Sequence, residues 1–285
     1  DPLIKAWKIL LNPVNYLNRK WALKALLPIA ADNPFVVHPG SAYKSFKRAQ
    51  VQNIGAILQE CEAIYERRSA EIDLSDPKNH FRHSLLDAEN LSMQSAILEF
   101  AFSRDLVGAA ARYLGTVPTL GAVQLWWTPQ NELLEGSQHY HIDQINPKQI
   151  KLFLNVRPVS VENGPLTFLP APASKTVFRS LQDPYARVRD EEIYEAVSPR
   201  TEVKILGEAG DGTLVDSSRC YHYGGRTKKN DRLVVMIQYV PYHSVKETSD
   251  VQWLSSVHKM KQALGRKETY RDLLLQLPPT PFKSE

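Results

Sequence analysis

Through the first 116 positions apolar residues recur at three- and four-residue steps. Val51, Ile54, Ile57, Leu58, Cys61 and Ile64 fall on one face of a predicted helix. A second helical stretch is expected from Asp87 to Leu114, with Leu91, Ile97, Phe100 and Leu106 as its apolar stripe and Gly115 as its stop. Asn12 to Pro13 and Pro34 to Gly40 read as connections. From about Thr119 the pattern becomes short runs of β-branched and aromatic residues between Gly, Pro, Asn and Asp. These runs predict strands at Gly121 to Thr128, Ile150 to Arg157, Leu166 to Leu169, Thr201 to Leu206, Thr213 to Asp216 and Arg232 to Val240.

No 10- to 15-residue helices alternate with those strands, which favours a sandwich or jelly-roll over a parallel sheet. The expected fold class is therefore mainly β with flanking helices. One domain is expected over 1–285, with a helical part at 1–116, a β core at 117–245 and a C-terminal helix and tail at 246–285. Within the core, the polar stretch Ala171 to Arg200 is an insertion with a helical turn near Asp190 to Val197. A lid and an inert solvated loop share that composition, so both readings stand. Helical periodicity returns after Val251, and a Pro-rich tail runs from Leu277 to Phe282.

Composition narrows the partners. A chain of 285 residues buries roughly three-quarters of its unfolded surface, and 43% hydrophobic with 23% charged residues is the balance of an ordinary globular protein. The net charge of +4 is spread along the chain, which speaks against nucleic acid as a partner. No apolar run of about 18 residues marks a membrane span. Cys61 and Cys220 form no CxxC pair, so a reducing, cytoplasmic setting and a soluble protein are expected.

The candidate chemistry sits in the β half. In an extended chain His141 and Asp143 of His141-Ile142-Asp143 point to the same side and can converge on one ion. The triplet alone is weak, since chance produces such spacings. A second segment strengthens it: Gly210-Asp211-Gly212 opens a short strand, and His222 follows beside Gly224-Gly225. Two imidazoles and one carboxylate on one face leave positions of an octahedral Fe(II) open for a co-substrate and O₂. Ten residues further on, Arg232 shares a face with Val234, Met236 and Gln238, and an inward guanidinium needs an anion such as a dicarboxylate.

Several residues compete with these. His139 shares the His141 face on simple alternation and is a rival ligand or pocket wall. Arg226 also follows His222 closely and rivals Arg232. Gln124 and Lys151, on neighbouring strands, either touch a co-substrate or serve the structure. Trp126, Trp127, Tyr140, Tyr221 and Tyr223 either wall an apolar substrate pocket or pack in the core.

The order H-x-D, then His, then Arg about ten residues on resembles the phytanoyl-CoA dioxygenase family of Fe(II)/2-oxoglutarate oxygenases. Asn163-Gly164-Pro165-Leu166-Thr167-Phe168-Leu169-Pro170 is similar to the family's segment between the ligand strands, and the passage from Leu106 to Trp126 also matches. The resemblance covers roughly residues 85 to 245. It implies a double-stranded β-helix, a cupin-like jelly-roll, with iron on His141, Asp143 and His222 and the distal carboxylate of 2-oxoglutarate on Arg232. It further implies O₂-dependent oxidation of a small-molecule or carrier-linked substrate, with release of succinate and CO₂. Asp at position 143 favours hydroxylation over halogenation; desaturation, cyclisation and epimerisation use the same cofactors. A metal-binding scaffold or sensor and a metal-dependent hydrolase are the rival classes. One departure is local: where the family continues Gly-Ser-His after Pro170, this chain has Ala171-Pro172-Ala173.

Overall fold

Nine consecutive residues, Arg232–Val240, are all buried, yet their side chains divide cleanly between two environments. That strand, β9, is the spine of the larger sheet in a computed structural model that describes residues 2–74, 81–86, 95–144, 147–244 and 269–276. The other strands are β1 (Tyr43–Phe46), β2 (His83–Ser84), β3 (Thr119–Thr128), β4 (Ile150–Asn155), β5 (Thr167–Phe168), β6 (Val203–Lys204), β7 (Gly212–Val215) and β8 (His222–Tyr223). The large sheet runs β1-β7-β4-β9-β3-β2 and the small one β6-β5-β8. Every pairing is antiparallel.

Helices α2 (Pro13–Leu26), α3 (Ile54–Arg68), α4 (Ala96–Ala101) and α5 (Arg104–Leu114) cover the outer side of the large sheet, with α1 (Pro2–Leu11) against α2 and α8 (Thr269–Leu274) near the end of the described chain. Two more, α6 (Ala171–Ser180) and α7 (Asp190–Ala196), lie between β5 and β6 in sequence. Val123, Leu125, Leu152, Leu154, Leu233, Val235 and Ile237 form the outward row, packed with Ile57, Ile64, Ile97 and Leu106 of the helices. Each such buried side chain contributes about 1.5–3 kcal/mol relative to exposure. Trp126, Phe153, Val234 and Met236 point the other way, against Leu166 and Phe168. Period-two alternation along each strand produces both rows.

The helical layer is tied to the sheet by a buried cation. Arg19 of α2 donates to the carbonyls of Val117 (2.8 Å), Pro118 (2.9 Å) and Leu273 (2.7 Å), so one guanidinium joins α2, the entry to β3 and α8. Gly164 makes a second close approach. At φ +60°, a Cβ there would lie 2.5 Å from the Arg226 carbonyl carbon, so only glycine lets the loop before β5 pass the loop after β8.

The structure narrows or divides several expected elements. The stretch expected as one helix to Leu114 is two in its described part, because Ser103 is extended (φ −60°, ψ 140°) and Asp105 stands in the first turn of α5. Residues 87–94 of that expectation lie outside the described residues. So do the helical pattern from Val251 to residue 268 and the tail from Leu277. The strand expected from Thr201 shrinks to β6, since Pro199–Thr201 forms a 3₁₀ turn whose Arg200 amide donates to Ser198 Oγ at 3.3 Å. The insertion is more ordered than its composition suggests: Pro172, whose missing N–H is harmless in a first turn, starts α6. Among the described residues, no helix is long and apolar enough to cross a membrane.

Candidate active site

His141 and His222 face each other across an antiparallel bridge between the strand edges, with His141 N to His222 O at 3.1 Å and the reverse bond at 2.9 Å. Opposed residues of such a ladder send their side chains to the same side, and the two ring centroids are 4.2 Å apart. Each ring is turned by its own backbone. His141 Nδ1 donates to His139 O (3.0 Å) and His222 Nδ1 donates to Cys220 O (2.9 Å). A carbonyl only accepts, so each Nδ1 carries the proton and each Nε2 keeps its lone pair.

Both lone pairs aim at one carboxylate. Nε2 of His141 is 4.0 Å from Asp143 Oδ1, and Nε2 of His222 is 3.8 Å from Asp143 Oδ2, too far for hydrogen bonds and right for a shared ion. Ligand atoms of the three residues all lie within 4.8 Å of one another. Asp143 is anchored through its amide to Ser217 O (2.9 Å). Its Oδ2 accepts from Lys151 Nζ at 2.7 Å and Gln149 Nε2 at 3.2 Å, and Gln149 Oε1 accepts from Gln238 at 2.6 Å.

The electrostatics suit a cation site. Burial, followed by the neighbouring His222, lowers the His141 pKa to about 2, and burial lowers that of His222. Both imidazoles are therefore neutral, as metal ligands must be. Burial alone would raise the Asp143 carboxyl, but Lys151 and the two imidazoles outweigh it and hold the group below its usual range. The residues present thus fit a divalent ion held by two neutral nitrogens and one carboxylate, with no fourth protein ligand among the described residues.

The three residues border a cavity of about 320 Å³ that also meets Trp126, Lys151, Arg187 and Arg232. Arg232 is buried, and its Nε has no hydrogen-bond partner. No ion pair joins Arg232 to an acid among the described residues. Burial, then the nearby Arg82, lowers its pKa to about 10, so it remains a cation at neutral pH. Gly224 lies alongside it, where a Cβ would be in ordinary contact with Nη2 at 3.4 Å.

Other sequence candidates lie elsewhere. The His139 ring turns away to Leu134 O at 3.1 Å, because the 3₁₀ turn Gly136–Gln138 delays the ladder until Tyr140. Gln124 faces inward but is engaged by the Ser84 hydroxyl and does not line the cavity. Tyr140 is buried beneath α6 and α7, edge-on to Tyr223 and bonded to Glu202. Arg226 forms a two-pronged bridge to Asp190 (2.7 and 2.8 Å) and stacks 3.6 Å over Tyr223. Trp126 does line the cavity, with Arg82 stacked 4.0 Å over it. Gln149, Arg82 and Arg187 carry no sequence signal. Gln238 was visible only as a member of the Arg232 face.

The chain matches no known family pattern and no curated protein sequence. Solved structures with a similar fold include the epimerase SnoN in complex with Fe³⁺, alpha ketoglutarate and nogalamycin RO, at 18% identity and TM-score 0.52, over 78% of this chain and 84% of that one. EctD from S. alaskensis with 2-oxoglutarate and 5-hydroxyectoine is 15% identical, TM-score 0.51, over 78% and 82% of the two chains. HygX from Streptomyces hygroscopicus with nickel and 2-oxoglutarate bound is 14% identical, TM-score 0.51, over 75% and 90%. At these identities the likeness is one of fold.

Proposed function

We propose that this chain is an Fe(II)- and 2-oxoglutarate-dependent oxygenase acting on a small molecule, built on a double-stranded β-helix of the phytanoyl-CoA dioxygenase kind. His141, Asp143 and His222 would hold the metal. Bound Fe(II) with 2-oxoglutarate supplies oxidising power drawn from O₂, with succinate and CO₂ leaving. The observation that carries this reading is Arg232, a buried guanidinium with no acidic partner among the described residues, which borders the same cavity as the three ligands. A buried cation in that state is costly until an anion arrives, and a dicarboxylate provides one.

The protein's own groups have separate tasks. The Nδ1 bonds keep both imidazoles presenting Nε2. Lys151 and the Gln238–Gln149 relay fix the Asp143 carboxylate and limit its charge. Arg232 anchors the far end of the co-substrate through a paired hydrogen-bond fork. Trp126, Phe153, Leu166 and Met236 exclude water around the reacting part of the substrate. A metal-holding scaffold has no use for an unpartnered guanidinium, which weighs against that rival.

Hydroxylation is the outcome proposed first. The likeness to an epimerase keeps stereochemical inversion as the second, and product mass separates them, since only hydroxylation adds an oxygen atom. Anaerobic addition of Fe(II) and 2-oxoglutarate to the purified chain is expected to give a weak visible absorption band. Absence of that band, with no succinate formed in air, would overturn the oxygenase reading.

A further inference from the structure

Arg187, at the mouth of the cavity, is a cation to which that reading gives no task, whereas Arg82 on the same lining stacks 4.0 Å over Trp126. The bridge between Tyr140 and Val188 brings the chain connecting α6 to α7 alongside the ligand segment. In an antiparallel ladder the position before Val188 stands across from the position after Tyr140, so Arg187 lies opposite His141. His141 in turn bridges His222, which sets Arg187, His141 and His222 in one transverse row. Consistent with that placement, Arg187 borders the same cavity, and its charge is felt at both imidazoles.

Nearby acids are engaged by other arginines. Arg189 pairs with Glu192 at 3.4 Å and Arg226 with Asp190 at 2.7 Å, whereas Arg187 has no hydrogen bond or ion pair among the described residues. Asp143, the carboxylate of the cavity, is already met by Lys151. Arg232 is committed to the co-substrate. Phe81, Trp126, Phe153, Leu166 and Met236 supply the apolar part of a wall that also carries Arg82, Ser137 and Gln238.

We infer that Arg187 recognises an anionic oxygen group, carboxylate or phosphate, on the substrate, whose apolar portion enters the cavity. The inference rests on the oxygenase reading for the role of Arg232. It gives the inserted segment a binding function: the connection delivers a charge to the rim, with α6 and α7 holding both of its ends. A planar guanidinium suits either oxyanion through two parallel hydrogen bonds, and Arg187, being exposed, can meet a group that stays at the entrance.

The test uses the full chain loaded with redox-inert Ni(II) and saturating 2-oxoglutarate, with benzoate, phenyl phosphate and benzamide as probes in calorimetric or ligand-observed NMR titrations. Both acids are expected to bind at least tenfold more tightly than benzamide, and the stronger acid identifies the anion. Arg187→Gln is expected to lose that preference while the 2-oxoglutarate titration stays unchanged, and Arg187→Lys to restore part of it. Equal binding of acids and amide, or acid affinity within twofold in Arg187→Gln, overturns the inference. It is also overturned if 2-oxoglutarate displaces the acids and Arg187→Gln weakens both alike, because Arg187 then belongs to the co-substrate. Arg187-dependent binding of the acids by a chain that does not bind 2-oxoglutarate supports the anion site and counts against the oxygenase reading instead.

Discussion

The two faces of the six-stranded sheet are built from the same strands and carry opposite kinds of order. Outward, Leu233, Val235 and Ile237 of β9 are fully buried among helix side chains, with no polar atom to satisfy. Inward, the alternate residues include Arg232 and Gln238, which border the candidate metal site. The outer face packs chiefly through apolar area, with the Arg19 guanidinium and the Tyr239 hydroxyl, which donates to Ala101 O, as its polar ties. On the inner face, paired cations, relayed amides and an unmatched guanidinium are held in place by what surrounds them. Stability and chemistry are thus one residue apart along the chain but separated by the thickness of the sheet.

The comparison can be broken most severely at the ligands. His222→Ala is expected to lower turnover on the order of 10³-fold, because metal contributions to catalysis amount to several kcal/mol. Equilibrium dialysis with Fe(II) would show the matching loss of metal, while the metal-free melting temperature changes little. On the outer face the consequences reverse. Ile237→Ala is expected to cost about 2–5 kcal/mol in urea denaturation, with the half-saturating 2-oxoglutarate concentration of the folded fraction unchanged.

Arg232→Met sharpens the contrast by sign. Removing a buried cation without an acidic partner is expected to leave the ligand-free chain as stable or up to about 2 kcal/mol more stable, while 2-oxoglutarate binding is lost. A clear loss of stability would mean that the guanidinium is already satisfied. The smallest expected effect is pH dependence in the metal-free chain. Folding lowers the His141 pKa to about 2 from an unfolded value near 6.5, so the unfolded chain binds the extra proton first. This stabilisation is complete above about pH 6.5 and declines as pH falls below it, by up to ~1.4 kcal/mol per pH unit for one histidine. Urea titrations between pH 7.5 and 5 should show that slope, and His141→Ala should reduce it, leaving the part that His222 and His243 contribute.

Strand alternation made the inner row Arg232, Val234, Met236, Gln238 legible before any coordinates, because a nine-residue run has one period and two faces. The three candidate ligands were legible for a similar reason, since their spacing carries the geometry. Alternation misleads where the ladder stops: His139 precedes the first bridge, and its ring leaves the row. It is also insufficient for Gln124, whose face was open to inference but whose partner Ser84 sits on a two-residue strand too short to signal itself. Arg187 was illegible because its position depends on one bridge between segments 48 residues apart in number, Tyr140 and Val188. Gln149 lies outside any periodic element, and only the folded chain reveals its contact with Asp143.

Each imidazole of the proposed centre is aimed by the carbonyl two positions before it in the chain. The aiming device therefore travels with its ligand as a three-residue unit, His139 to His141 in one case and Cys220 to His222 in the other. Such units tolerate drift in the rest of the barrel: the walls can be rewritten for a different guest without re-teaching the rings where to point. For an engineer, that locates the freedom to change selectivity in the rim and walls, and the obligation to leave two tripeptides intact.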